Sequence, residues 1–278
     1  MGAPQFIPED LAPGDRHTPA PSSHLRVRAV HDPREPLFDR LYARLWHEFG
    51  HRNEMEDRDT IVERLAHHPG DLVRGHALRY ELLAVLDGDD LVGLRDHTAI
   101  VPPAAAPGAP TRVLVHLSHV IVEPRYRGTG LAGWLRALPL QAARATAALA
   151  QRGCDAITLV AEMEHPSDAP EVQTRLRSYD RAGFRKLDPQ LVPYHQPDFR
   201  PATEIDASSL QPVPLMLALR RVGREDEPTI PAAEVRELVT GLYTMFAVHQ
   251  RREHMAPLWT WCDALPRAGA VSLQPLLA

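Results

Sequence analysis

The sequence predicts an α+β fold. Three observations point there. Apolar runs of period two alternate with segments of helical period. Two such runs flank the Asp-Gly turn signal in DGDD. The most apolar strand, RVLVHLSHVIV, leads through a glycine-bearing corner into a helix.

The elements follow in order. Residues 1–23, rich in proline and polar side chains, read as a flexible N-terminal arm. HLRVRAV, 24–30, sets Leu25, Val27 and Ala29 on one face of a strand. In 35–49, Leu37, Leu41, Leu45 and Phe49 recur at helical spacing beside Phe38, Tyr42 and Trp46. A second helix is expected over 59–68, its leading aspartate at the positive end of the helix dipole. Residues 80–101 form the hairpin, and PPAAAPGAP, 102–110, is an irregular connector. The strand 112–122 places His116, Ser118, Val120 and Val122 on one face by alternation, with His119 on the other. A helix over 130–153 is expected to kink at Pro139. A strand at 155–163 and a short helix at 174–184, stopped by Gly183, come next. Strands near 190–195 and 214–221 enclose a proline-rich loop, and 231–252 is a helix with proline in its first turn. The chain thus divides into the arm 1–23, a main domain 24–222 and a C-terminal helical extension 223–278.

With 44% hydrophobic and 24% charged residues, the 278-residue chain is able to bury a sizeable core. A net charge of −5 disfavours nucleic acid as a partner and suits a small ligand. Two cysteines, Cys154 and Cys262, imply neither a disulfide framework nor a CxxC zinc site. No basic segment followed by an apolar core opens the sequence, and no apolar run is long enough for a bilayer, so a cytoplasmic protein without membrane contact is expected.

Residues 123–132 read EPRYRGTGLA. A strand entering a helix here aims unsatisfied N–H groups at one spot, glycines admit close approach, and Arg125 and Arg127 add positive charge. That is a phosphate site, yet neither the Walker nor the dinucleotide pattern is present. RGTGLA, 127–132, resembles the R/Q-x-x-G-x-G/A loop of the GCN5-related N-acetyltransferases. VIVEP, 120–124, resembles the strand end before that loop, and YDRAGF, 179–184, the family's second signature. The resemblance spans roughly residues 24–221 and implies a mixed, mostly antiparallel sheet flanked by helices, with a splayed parallel strand pair that takes acetyl-CoA as acyl donor, and no metal. Backbone groups of Val120, Ile121 and Val122 would pair with the pantetheine amides. Arg127, Gly128, Thr129, Gly130, Leu131 and Ala132 would hold the pyrophosphate, with Arg125 nearby.

The same resemblance implies transfer to a primary amine, of a small molecule or a peptide, by direct attack. Tyr179 would be the acid that protonates the leaving thiolate. His116 and Glu162 are alternative bases, with Glu164 beside the latter, and a backbone N–H near Val122 is the candidate oxyanion contact. Seven residues before Tyr179, where the family often carries asparagine, this chain has Val172. A non-catalytic acyl-CoA-binding domain is the alternative reading. A homodimer is the default assembly.

HEFGH, 47–51, matches the zinc protease pattern HExxH, with Glu48 as base and a third ligand such as Glu63 or Glu81 still required. The acids of EFGHRNEMEDRD, 48–59, instead suit an acceptor site for a cationic amine. The loop 195–212 and Tyr243, Met245 and Phe246 of the last helix are candidates for its other walls.

Overall fold

The DGDD turn closes a long hairpin from which the sheet grows. In a computed structural model, which describes residues 4–19, 21–103 and 109–277, β1 (Leu25–Val30), β2 (Ala77–Asp87), β3 (Asp90–Val101) and β4 (Arg112–Val122) pair antiparallel in chain order. β5 (Ala156–Met163) runs parallel to β4. β6 (Arg185–Leu187), β7 (Tyr194–Gln196), β8 (Val213–Arg221), β9 (Thr229–Pro231) and β10 (Ala270–Gln274) complete the sheet. The spatial order is β1-β2-β3-β4-β5-β8-β6-β10-β9, with β7 against β8, and β4–β5 is the parallel pair among the described residues. This is the mixed, mostly antiparallel architecture that the resemblance implies.

Two faces are covered by different helices. On one lie α1 (Pro36–Phe49) and α2 (Arg58–Ala66), whose apolar side chains pack on Tyr80, Leu82 and Leu94. Asp57 caps α2 by accepting a hydrogen bond from the Thr60 amide at 2.8 Å. On the other lie α3 (Leu131–Ala137), α4 (Pro139–Leu149) and α5 (Pro170–Arg181). Pro139 divides α3 from α4 as expected, but Leu138 between them keeps helical dihedrals, so the axis bends without a loop. α6 (Ala202–Ser208) lies within the 195–212 loop.

The C-terminal segment is integral to the fold. The expected single helix 231–252 is two, α7 (Ala232–Phe246) and α8 (Arg252–Ala264). No glycine or proline marks the break at 247–251, so local pattern reads through it. α7 is buried almost all round against Leu114, Val160, Leu217 and Leu219, and β10 and β9 extend the sheet itself.

The N-terminal segment also differs from a loose arm over its described residues, while 1–3 and 20 lie outside them, as do 104–108 of the expected connector. Leu11 and Ala12 are buried, and Phe6 packs edge-on to Trp134. Arg144 pairs with Asp10, and Asp15 accepts two hydrogen bonds from Arg136, at 3.1 and 2.8 Å, with both side chains buried. Composition made the segment look unable to bury itself. It uses a surface supplied by α3 and α4 instead.

Candidate active site

Pairing of β4 with β5 runs from Arg112–Ala156 to His116–Val160 and stops there. Beyond it β4 stays with β3 while β5 stays with β8, so the parallel strands part. The gap opens into a cavity of about 650 Å³ lined by Tyr179, His116, Glu162, Val120, Val122 and Arg127, among others. Residues far apart in sequence thus meet in one place.

The free edge of β4 is set by a bulge. Ser118 and His119 together oppose the single Asp96 of β3, because Leu117 pairs with His97 and Val120 with Arg95. The extra residue reverses the alternation. His116 faces α7, where its ring meets Phe246 edge-on, whereas Val120 and Val122 pack on the α3 side. The expectation that these residues share one face is therefore corrected. The Glu123 amide donates to the Val92 carbonyl, so by alternation Ile121 also spends its backbone on β3. Val120 and Val122 turn theirs to the gap, where Arg127 Nε already donates to the Val122 carbonyl at 3.2 Å. Ile121 contributes its side chain to the α1 core instead.

The loop after β4 has the form its glycines dictate. Gly128 and Gly130 adopt φ of +78° and +87°, and a Cβ on Gly130 would lie 1.9 Å from Thr18 Cγ2. Among the described residues, the amides of Gly128, Gly130, Leu131 and Ala132 donate to no protein acceptor. The Thr129 hydroxyl donates to the Tyr126 carbonyl at 2.7 Å, and Arg125 is tied to Asp90 at 2.8 Å and turned from the loop. Arg127 is the cation left at the rim.

His116 and Glu162, taken from sequence as alternatives, are partners. His116 Nε2 lies 2.8 Å from Glu162 Oε2, and its Nδ1 lies 3.2 Å from Ser118 Oγ. A carboxylate only accepts, which assigns the proton to Nε2 and leaves Nδ1 to accept from Ser118. Tyr194 and Gln196 also donate to Glu162, at 2.6 and 3.2 Å. Burial pushes the Tyr194 hydroxyl well above its ordinary pKa and neighbouring Glu162 pushes it further, so it stays a donor. Tyr179 enters from the opposite face on α5, its ring edge-on to Phe184 and its hydroxyl near Arg95.

His119, set aside by alternation, belongs to the cavity wall. Its Nδ1 lies 3.1 Å from both Asp96 oxygens, its amide donates to Asp96 at 2.8 Å, and its Nε2 lies 2.9 Å from the Glu54 carbonyl. Tyr80 completes the network with a 3.0 Å hydrogen bond to Asp96. Burial alone would lower His119, but Asp96 outweighs it and the imidazole is raised. Burial likewise opposes ionisation of Asp96, but His119 holds the carboxyl below its usual value. The raised histidine stabilises fully below its ordinary 6.5 and loses that contribution as pH rises through its folded value. The depressed aspartate stabilises above its ordinary 3.8 and loses it as pH falls further. The stability gap between wild type and His119→Asn is expected to be widest between those values and to shrink as pH rises through the folded histidine's raised value. Urea unfolding across pH measures it. A gap that does not change with pH would contradict the charged pair.

The acids of 48–59 are less available than sequence suggests. Arg44 takes Glu48 at 3.2 Å, Arg64 takes Glu56 at 2.6 Å, and Asp57 is the α2 cap. Glu164 pairs with Arg175. In HEFGH, His47 lies on α1 and His51 in the turn after it, Gly50–Arg52. Among the described residues no group of three His, Cys, Asp or Glu side chains is placed to hold a metal ion. Nor is any described helix long and apolar enough to cross a membrane.

No protein-family model matches the chain, and no curated protein matches it. Similar solved structures include Arabidopsis thaliana NAA60 in complex with acetyl-CoA, at 13% identity and TM-score 0.40, covering 72% of this chain and 99% of that one. A GNAT family acetyltransferase from Elizabethkingia anophelis with acetyl-CoA bound gives 12%, 0.36, 72% and 99%. The aminoglycoside acetyltransferase meta-AAC0020 from an uncultured soil metagenomic sample gives 9%, 0.33, 56% and 87%. Likenesses this shallow say nothing of the substrate.

Proposed function

We propose that the protein is an N-acetyltransferase that transfers acetyl from acetyl-CoA to a primary amine by direct attack. The observation that carries this reading is the parting of β4 from β5 past His116, which leaves an open strand edge beside a cavity lined by Arg127, Tyr179 and the His116–Glu162 pair. Acetyl-CoA fits those groups. Val120 presents free backbone to an extended pantetheine chain, while the Val122 carbonyl is held by Arg127. The unsatisfied amides of Gly128, Gly130, Leu131 and Ala132, with Arg127, suit a pyrophosphate.

The chemistry follows from the two sides of the gap. The amine lone pair attacks the thioester carbonyl carbon, a C–N bond forms and the C–S bond breaks. Sulfur leaves with the bonding pair and takes the Tyr179 proton. The amine gives up its proton through Ser118 Oγ to His116 Nδ1, and Glu162 stabilises the imidazolium that results. The Val122 N–H, on the open side of β4, would stabilise the oxyanion. Solvent returns the proton from His116 to Tyr179, closing the cycle.

Wild-type protein is expected to bind CoA and acetyl-CoA with micromolar affinity in calorimetry. An Arg127→Ala, Gly128→Asp double variant removes one charge-assisted contact and adds an anion at the loop, so affinity is expected to fall at least about tenfold. Kanamycin, spermidine and a peptide with a free N-terminus, screened by release of CoA thiol, then distinguish the acceptor classes. Binding without thiol release from any of them would mark a non-catalytic acyl-CoA-binding domain. Absence of binding would overturn the reading altogether.

A further inference from the structure

Six arginines of the described chain are buried: Arg64, Arg79, Arg95, Arg136, Arg220 and Arg221. Five of them are matched by a carboxylate, respectively Glu56, Glu81, Asp15, Glu225 and Glu234, skipping Arg95. Arg95 is fully buried and forms no ion pair among the described residues. Its Nε has no partner, and its two terminal nitrogens reach only the Leu135 carbonyl and the Tyr179 hydroxyl, each at 3.4 Å. Both contacts are longer than the usual 2.9 Å or so of a settled N–H···O bond. A buried guanidinium without a countercharge is costly, and a fold that matches every other one leaves this one aimed at a single phenol.

Resting on the acetyl-transfer reading above, we infer that Arg95 is a positioning residue for Tyr179: it fixes the hydroxyl toward the leaving sulfur and supplies the countercharge for the phenolate left when Tyr179 gives up its proton. Arg95 does not line the cavity, so it acts through Tyr179. The other charged neighbours are already committed. Arg136, whose guanidinium carbon lies 5.3 Å from the centre of the Tyr179 ring, is neutralised by Asp15 and also donates to Ser178. Arg175, one turn earlier on α5, is paired with Glu164. Asp96 faces the other side of the sheet with His119, and His97 beside Arg95 is kept neutral by burial, which pulls its imidazole down to about 3. Arg95 is the cation left to answer a charge on the phenol. The sequence gives no hint of this, because an arginine in mid-strand has no motif and its companion is 84 positions away.

A double-mutant cycle tests the inference. Wild type, Arg95→Met, Tyr179→Phe and the double variant are compared by CoA-thiol release from acetyl-CoA with the three acceptors named above, and by calorimetric affinity for acetyl-CoA. Each single variant is expected to lower kcat about 10- to 100-fold. Acetyl-CoA affinity is expected to stay within about threefold, and the double variant to be no slower than Tyr179→Phe by more than about twofold. Arg95→Lys, which keeps the charge, is expected to recover part of the rate. If the methionine variant does not fold, the lysine variant carries the same cycle. Losses that multiply would overturn the role of Arg95 while leaving Tyr179 as the acid. A Tyr179→Phe protein at the wild-type rate, or a wild-type protein that releases no thiol, would overturn both.

Discussion

A His116→Gln variant is expected to lose about 10²- to 10³-fold in kcat while binding acetyl-CoA normally. Glutamine is close in volume and its amide is able to donate to Glu162, so the buried carboxylate keeps a partner and the loss reports chemistry, not collapse. What disappears is the lone pair on Nδ1 that receives a proton through Ser118. Because Glu162 accepts from Tyr194 and Gln196 as well, it is saturated with donors and poorly disposed to act as base itself. Pre-steady-state thiol release over a range of pH separates the two roles. A His116→Gln enzyme of wild-type rate would move the base function to another group.

The second large effect concerns stability. Asp15→Ala is expected to destabilise the protein by about 3–5 kcal/mol, the range for removing one partner of a buried ion pair. Asp15 and Arg136 are both about 5% exposed, so solvent screening offers little relief. The stranded guanidinium would lie against the Tyr179 ring, and turnover is expected to suffer along with the urea midpoint. A stability change under about 1 kcal/mol would show that water reaches the freed arginine and that the segment is less firmly seated than the geometry implies.

Much of the geometry around the 127–132 loop was legible because it is local. The glycine spacing of RGTGLA, the strand before it and the YDRAGF helix end are all encoded within a few residues, and Pro139 bends its helix where expected. What sequence misplaced depends on partners elsewhere in the chain. The alternation from His116 to Val122 fails because a bulge opposite Asp96 reverses it, and nothing in RVLVHLSHVIV announces the extra residue. The same bulge brings His119 to the cavity. His116 and Glu162 looked like rival bases because their union requires β4 and β5 to be adjacent and parallel. Val172, unlike the asparagine of the family pattern, is buried in the apolar core under α5. The N-terminal segment looked disordered by composition because its apolar partners, Trp134 and Ala137, lie more than a hundred positions on.

Ala12 and Leu276 belong to the same buried cluster as Tyr179, and the Leu276 amide donates to Asp180 on the helix that carries that tyrosine. Synthesis is vectorial, so residues 4–19 leave the ribosome long before the surface they dock against exists, and the contact at Leu276 comes later still. The helix bearing Tyr179 is therefore sealed from both directions only after the segment around Leu276 has been made. A nascent chain holds the 127–132 loop and the edge of β4 unfinished until then, with Leu11, Trp134 and the α5 core side chains left uncovered. The cavity wall that Tyr179 forms is thus completed by contacts from segments at opposite ends of the described residues.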